Sequence, residues 1–261
     1  MTGTAPTTAI ATSGASPALR IVLDRPRRGN ALTPELLDDV LDKLDGAETA
    51  MAVVITGAGR AFSSGGDIGE FHARASDREA LLAYADRIVS ALNRTILRLR
   101  ATPCPVIAAV NGPVTGGSVG LMLAADIVVM ARHAFIQPYY ARMGFAPDGG
   151  WTALLPERIG RARTARWLAL DERVGAEEAL AMGLVDRVVA REALDETVED
   201  LLQRMAGFDG SVIATSRRLL DAQIAGPDLA QRLENEKRAF LDRIAREDTR
   251  ERMNAFLAGT T

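Results

Sequence analysis

The stretch Met51-Ala52-Val53-Val54-Ile55-Thr56-Gly57-Ala58-Gly59-Arg60-Ala61-Phe62-Ser63-Ser64-Gly65-Gly66-Asp67-Ile68 changes character at its middle. Its first part, to Thr56, is a short β-branched run of the kind that fills a buried strand. From Gly57 to Asp67, four glycines and two serines crowd into a functional-looking loop. Glycine lets the backbone approach a ligand closely, so a strand that empties into such a loop is a place to look for binding.

The same alternation continues on both sides. Upstream, Ala18 to Leu23 reads as an apolar strand, and Thr33 reads as the N-cap of a helix with Pro34 at its first position, running to about Leu44. Downstream, Asp77 to Arg100 carries Leu81, Leu82, Ile88, Val89, Leu92, Ile96 and Leu99 at helical spacing. Pro105 to Val110 reads as a buried strand, Gly116 to Ala124 as a helix, and Ile127 to Met130 as another strand. From Gly150 the pattern is largely helical, with one strand at Leu184 to Val189. The expected class is α/β: a flexible tail over 1–17, a β/α core over 18–195, and a helical region over 196–261 that serves oligomerisation.

Composition narrows the function. Of 261 residues 48% are hydrophobic, enough for a sizeable core, and the net charge of -3 leaves no basic surplus for nucleic acid. One cysteine, Cys104, excludes an internal disulfide framework and fits a reducing cytoplasm. The longest apolar run, Val119 to Ala131, is interrupted by Asp126 and falls short of the roughly 20 residues of a membrane helix. His72 and His133 are the only histidines, and no ligand spacing surrounds them, so no metal is expected.

Three segments stand out together: Gly59 to Ile68, Pro105 to Gly120, and Gly144 to Thr152 with Pro147-Asp148-Gly149-Gly150. With Arg25-Pro26, Asn30-Ala31-Leu32, Ala124-Ala125-Asp126-Ile127, Ile159-Gly160-Arg161-Ala162 and Ala179 to Val185, they resemble the crotonase family, the enoyl-CoA hydratase/isomerase superfamily. The resemblance implies a spiral of ββα units, assembly as trimers or hexamers, and an acyl-CoA substrate with no separate cofactor. It also implies that the N–H groups of Gly66 and Gly117 hold the thioester oxygen. Such donors stabilise the enolate formed when a proton leaves the adjacent carbon, by roughly 3 to 4 kcal/mol for one donor. Arg60 matches a basic position that meets the CoA phosphates, and Arg25, Ala61, Ser64, Asp67, Ile68 and Tyr139 are expected around the substrate.

The departures carry most information. Gly120 stands where the family's first hydratase glutamate would be, and Tyr139 where the second would be. Hydration needs one group to activate water and another to protonate carbon, so that chemistry is disfavoured. Asp148 stands where isomerase and dehalogenase branches carry an aspartate, which makes it the candidate base. A capping aspartate for a helix starting near Gly150 is the other reading. Tyr139 and Tyr140 are placed to hydrogen-bond the acyl group or Asp148. Trp151 replaces a glycine and suggests either a reshaped acyl pocket or a cap on the core.

Other functions remain open: a CoA thioesterase or dehalogenase using Asp148, a hydratase-like enzyme, or a non-catalytic acyl-CoA binder. Dehalogenases carry a histidine where this chain has Asn93. Gly116-Gly117-Ser118-Val119-Gly120 also satisfies G-x-S-x-G, but no acid and histidine follow in hydrolase order, so Ser118 is expected to be a small residue in the helix's first turn. The expected activity is enoyl-CoA isomerisation, with Asp148 moving a proton between C2 and C4.

Overall fold

A computed structural model describes residues 18–222 and 228–259; the tail expected over 1–17 lies outside the described residues. Among the described residues, eight strands form two sheets. The strands are β1 (Ala18–Leu23), β2 (Ala52–Gly57), β3 (Val106–Val110), β4 (Val114–Thr115), β5 (Ile127–Ala131), β6 (Phe135–Gln137), β7 (Val174–Gly175) and β8 (Arg187–Val189). The larger sheet runs β1-β2-β3-β5-β8 and is parallel throughout. In the smaller sheet β4 pairs parallel with β6, and β6 antiparallel with β7.

Both faces of the large sheet are covered, which explains why Val106-Ile107-Ala108-Ala109-Val110 is apolar without alternation. One face packs into the main core with Ile88, Leu92 and Ile96 of the helix Arg78–Arg100. The other face, with Val54, Ile107, Ala109 and Val129, lies under Leu194, Val198, Leu201 and Leu202 of the helix Leu194–Met205. Asp77 ends the loop before the long helix and caps it, its carboxylate accepting from the N–H groups of Glu79 and Ala80. Thr33 caps Pro34–Lys43 in the same manner through the Leu36 N–H.

The repeating unit is a strand in the large sheet, a short strand in the small one, then a helix. β3 and β4 lead into the 3-10 turn Gly116–Ser118 and the helix Val119–Leu123, while β5 and β6 lead into the helix Tyr140–Met143. After β2, Ser63 takes the second position, bridged in parallel to Val114, which in turn aligns with Ile136. Gly66, Gly117 and Tyr139 each lie three residues beyond those aligned positions. Stacking successive turns in parallel register therefore carries residues some 50 apart in sequence to one place, and that place is the site.

One expectation changes. The sequence suggests a helix beginning near Gly150, yet Gly149 and Gly150 adopt left-handed φ values of 62° and 88°, and the helix starts only at Leu155. The apolar face of the segment after Asp228 packs inside the chain: Leu233, Phe240 and Ile244 are buried in the main core, with Leu229 and Leu241 against it.

Candidate active site

Backbone geometry prepares the two glycine N–H groups. Leu32 donates to the carbonyl of Gly65 at 2.7 Å and accepts from the N–H of Asp67 at 3.2 Å. In a parallel bridge this turns the N–H of the intervening Gly66 away from Leu32, toward the neighbouring turn. Gly117 lies in the first turn of Gly116–Ser118, where N–H groups have no intrahelical carbonyl. The two loops touch: a Cβ on Gly65 (φ 83°) would stand 2.8 Å from the carbonyl oxygen of Thr115. Only glycine is accommodated there.

The loops are tied from behind. Ser118 is fully buried, and its hydroxyl donates toward the carbonyls of Thr115 at 2.7 Å and Ser63 at 3.1 Å, so it is structural and not a nucleophile. Trp151 is also fully buried, with Nε1–H donating to the Gly116 carbonyl at 2.9 Å and its ring edge-on to Trp167 and Tyr140. It does not line the pocket; it anchors the glycine turn. Replacing Trp151 by Phe removes that hydrogen bond and leaves the Gly116 carbonyl with only the Val119 N–H, and a loss of about 1 kcal/mol in thermal or urea unfolding is the expected result.

Asp148 stands over this turn. A Cβ on Gly117 would lie 2.8 Å from Asp148 Oδ1 and 3.0 Å from Oδ2, placing the carboxylate beside the Gly117 backbone. The following residue presses even closer, since a Cβ on Gly149 would lie 2.2 Å from the Gly117 carbonyl oxygen. Gly120 shares the contact: its Cβ would meet the Gly149 carbonyl oxygen at 2.3 Å. No helix cap is involved, so the capping reading of Asp148 is set aside.

Tyr140 donates its hydroxyl to Asp148 Oδ1 at 2.5 Å. Tyr139, in the left-handed region at φ 63°, makes the turn that brings Tyr140 to face the carboxylate. Burial pushes the Asp148 carboxyl up to about 7; the Tyr140 hydrogen bond pulls it down, and the charge of Glu236 pushes it further up. Burial, and next the Asp148 charge, hold the Tyr140 hydroxyl well above its ordinary value, so it stays a donor.

The other expected site residues divide into two groups. Ser64, Gly66, Ile68, Gly117, Tyr139 and Asp148 line one cavity of about 260 Å³. Arg25, Arg60, Ala61 and Asp67 do not border it. Asp67 is buried and paired with Arg25 at 3.1 Å, while Arg25 also holds the Ala31 carbonyl, so this pair fixes the entry to the glycine loop. The Ala61 carbonyl accepts from Asn30 and Asn111, and Arg60 is exposed. Around the glycines the cavity wall is apolar and aromatic: Phe71, Phe135, Met143, Phe145, Phe240 and Phe256. Phe240 and Phe256 come from the last two helices, and sequence reasoning missed them. It also missed Glu236, whose carboxylate is buried behind Asp148.

Comparison with known proteins identifies the family. The enoyl-CoA hydratase/isomerase family profile matches residues 15–259. A probable enoyl-CoA hydratase of Rhodobacter capsulatus is 34% identical over 91% of this chain and 90% of its own length. The 1,2-epoxyphenylacetyl-CoA isomerase of Escherichia coli is 31% identical over 92% of each. The crystal structure of an enoyl-CoA hydratase from Bacillus halodurans superposes with a TM-score of 0.87 at 27% identity, covering 97% of this chain and 100% of that one. The chain, with its crotonase-type α/β spiral and helical C-terminal region, belongs to the enoyl-CoA hydratase/isomerase family.

Proposed function

We propose that this family member is an acyl-CoA isomerase that shifts a double bond from the 3 to the 2 position, with Asp148 as the only acid/base. One observation carries the reading: a single buried carboxylate stands beside Gly117, while Gly149 fills the space at Gly120 where a second carboxylate would be needed. Water addition requires both groups; proton transfer between two carbons of one substrate requires one.

In the mechanism the thioester oxygen accepts from the N–H groups of Gly66 and Gly117. Asp148 removes a proton from C2, and the C–H electron pair moves through the carbonyl carbon onto that oxygen. The dienolate then returns the electron pair, and protonated Asp148 delivers the proton to C4, leaving the double bond between C2 and C3. Protons and electrons balance within enzyme and substrate, so CoA enters only as part of the substrate and no cofactor is used. Tyr140 holds Oδ1 in place through both steps. The aromatic wall receives the acyl chain, and exposed Arg60 is available to the CoA phosphates.

Asp148 must be ionised to start the cycle. With its pKa near 7, kcat for a 3-enoyl-CoA is expected to rise tenfold per pH unit below about pH 7 and to level off above it. A profile flat between pH 5 and 9 would remove Asp148 from the rate-limiting proton transfer. NMR in deuterated water is the direct test: migration of the double bond with the C2 proton carried over to C4 supports the reading, and hydration at C3 contradicts it. A dehalogenase gains no support from Asn93, which is buried outside the cavity and donates to the Leu233 carbonyl. A cytoplasmic homotrimer or homohexamer accounts for the apolar residues Phe208, Val212, Leu219 and Leu220 that one chain leaves exposed.

A further inference from the structure

Glu236 is a buried carboxylate that the mechanism does not use. It lies in the helix Leu229–Ile244, far in sequence from the glycine loops, and is only 4% exposed. Its Oε2 accepts from the N–H of Gly150 at 2.7 Å. Its Oε1 accepts from the N–H of Thr152 at 2.6 Å, the hydroxyl of Thr152 at 2.7 Å and the N–H of Ala153 at 2.9 Å. A backbone N–H can only donate, so three of these four partners require acceptors on both oxygens. One side chain thus satisfies donors from three residues, Gly150, Thr152 and Ala153, of the loop that begins at Asp148.

The same helix face makes two more contacts. Arg232, one turn earlier, donates to the Ala153 carbonyl at 2.6 Å and to Glu157 at 2.5 Å. Phe240, one turn later, lines the cavity. Residues four apart share a helix face, so Arg232, Glu236 and Phe240 form one stripe that grips the loop and reaches the substrate space.

We propose that Glu236 is a positioning residue: it clamps residues 150–153 from the last part of the chain and so holds Asp148 over the Gly117 turn. The proposal rests on Asp148 being the base. Loop geometry supports it, because Gly149 and Gly150 both have positive φ and the segment has no regular structure of its own before Leu155. The titratable groups facing Asp148 are Tyr140, from the helix Tyr140–Met143, and Glu236; the helix Arg78–Arg100 presents apolar Leu92 to Gly117. Glu236 also raises the Asp148 pKa, which gives its removal a second readout.

Glu236→Gln is the discriminating variant. Gln keeps one carbonyl oxygen for Thr152 and Ala153 but turns an N–H2 group toward the Gly150 N–H, donor against donor. The expected result is a kcat reduced about 100-fold, as a misplacement of about 1 Å produces, with KM changed less than about threefold. The acid limb should move to lower pH, since a neighbouring negative charge is gone. A purely structural role would lower Tm and leave kcat where it was. The Asp148 carboxyl is read independently of turnover by 13C NMR of Asp-labelled protein, assigned with Asp148→Asn. If that resonance titrates lower in Glu236→Gln while the wild-type chain isomerises no acyl-CoA, the positioning role stands and the isomerase reading falls. If it titrates unchanged, the proposal is overturned. Should Glu236→Gln not fold, Thr152→Val deletes one hydrogen bond of the clamp; a kcat lowered several-fold at constant KM supports the proposal, and an unchanged kcat overturns it.

Discussion

Asp148→Asn is expected to abolish double-bond migration, lowering kcat by roughly 10³ to 10⁴, the size of a lost general acid/base, while the acyl-CoA still binds. Asn keeps an oxygen for the Tyr140 hydroxyl, which now donates to Oδ1 at 2.5 Å, so the geometry survives and only the proton carrier is gone. The same variant should be more stable. The folded-state pKa of about 7 exceeds the unfolded value of about 3.9. As pH rises from about 4, the unfolded chain releases its proton first, so the wild type loses stability up to about pH 7, where the loss levels off at about 4 kcal/mol. Melting curves should therefore show Asp148→Asn above the wild type at pH 8 and level with it near pH 4. Loss of turnover with a lower Tm at pH 8 would mean that the carboxylate is structural.

Any side chain at position 120 is expected to be nearly as damaging. Gly120→Ala brings a Cβ to 2.3 Å from the Gly149 carbonyl oxygen and 2.6 Å from Ile96 Cδ1. The loop must lift, at about 3 kcal/mol or more for overpacking, and Asp148 lifts with it, so isomerisation should fall about 100-fold. Gly120→Glu, which writes the family's hydratase carboxylate back into the sequence, should lose isomerisation without gaining hydration. A hydrating Gly120→Glu enzyme, or a Gly120→Ala enzyme with wild-type Tm and kcat, would show that the loop is not seated against the helix as described.

These effects separate what is local from what is not. β1 follows from its own residues, as do the two capped helices, Pro34–Lys43 and Arg78–Arg100, because period, cap and β-branching act over a few neighbours. The short strands β4, β6 and β7 are two or three residues long, too short for any periodicity to show. They exist because successive turns of the spiral offer them partners. Gly149 and Gly150 were legible as glycines, but their left-handed backbone, and hence the late start of the helix at Leu155, depends on Gly117 and Gly120 lying underneath.

The ordered glycine motifs, Gly120 and Tyr139 at the positions expected of hydratase glutamates, and the presence of Asp148 belong to the sequence alone, since each is a matter of which residue stands where along the chain. So do the family and the α/β class. Tertiary structure decided the rest. It paired Arg25 with Asp67 away from the cavity, set Trp151 behind the Gly116 carbonyl, and chose Tyr140, not Tyr139, as the partner of Asp148. It brought Glu236 across 86 residues to the Gly150 N–H. Burial, a hydrogen bond and a neighbouring charge are what move the Asp148 pKa to about 7, and all three arise only when distant segments share the same few ångströms.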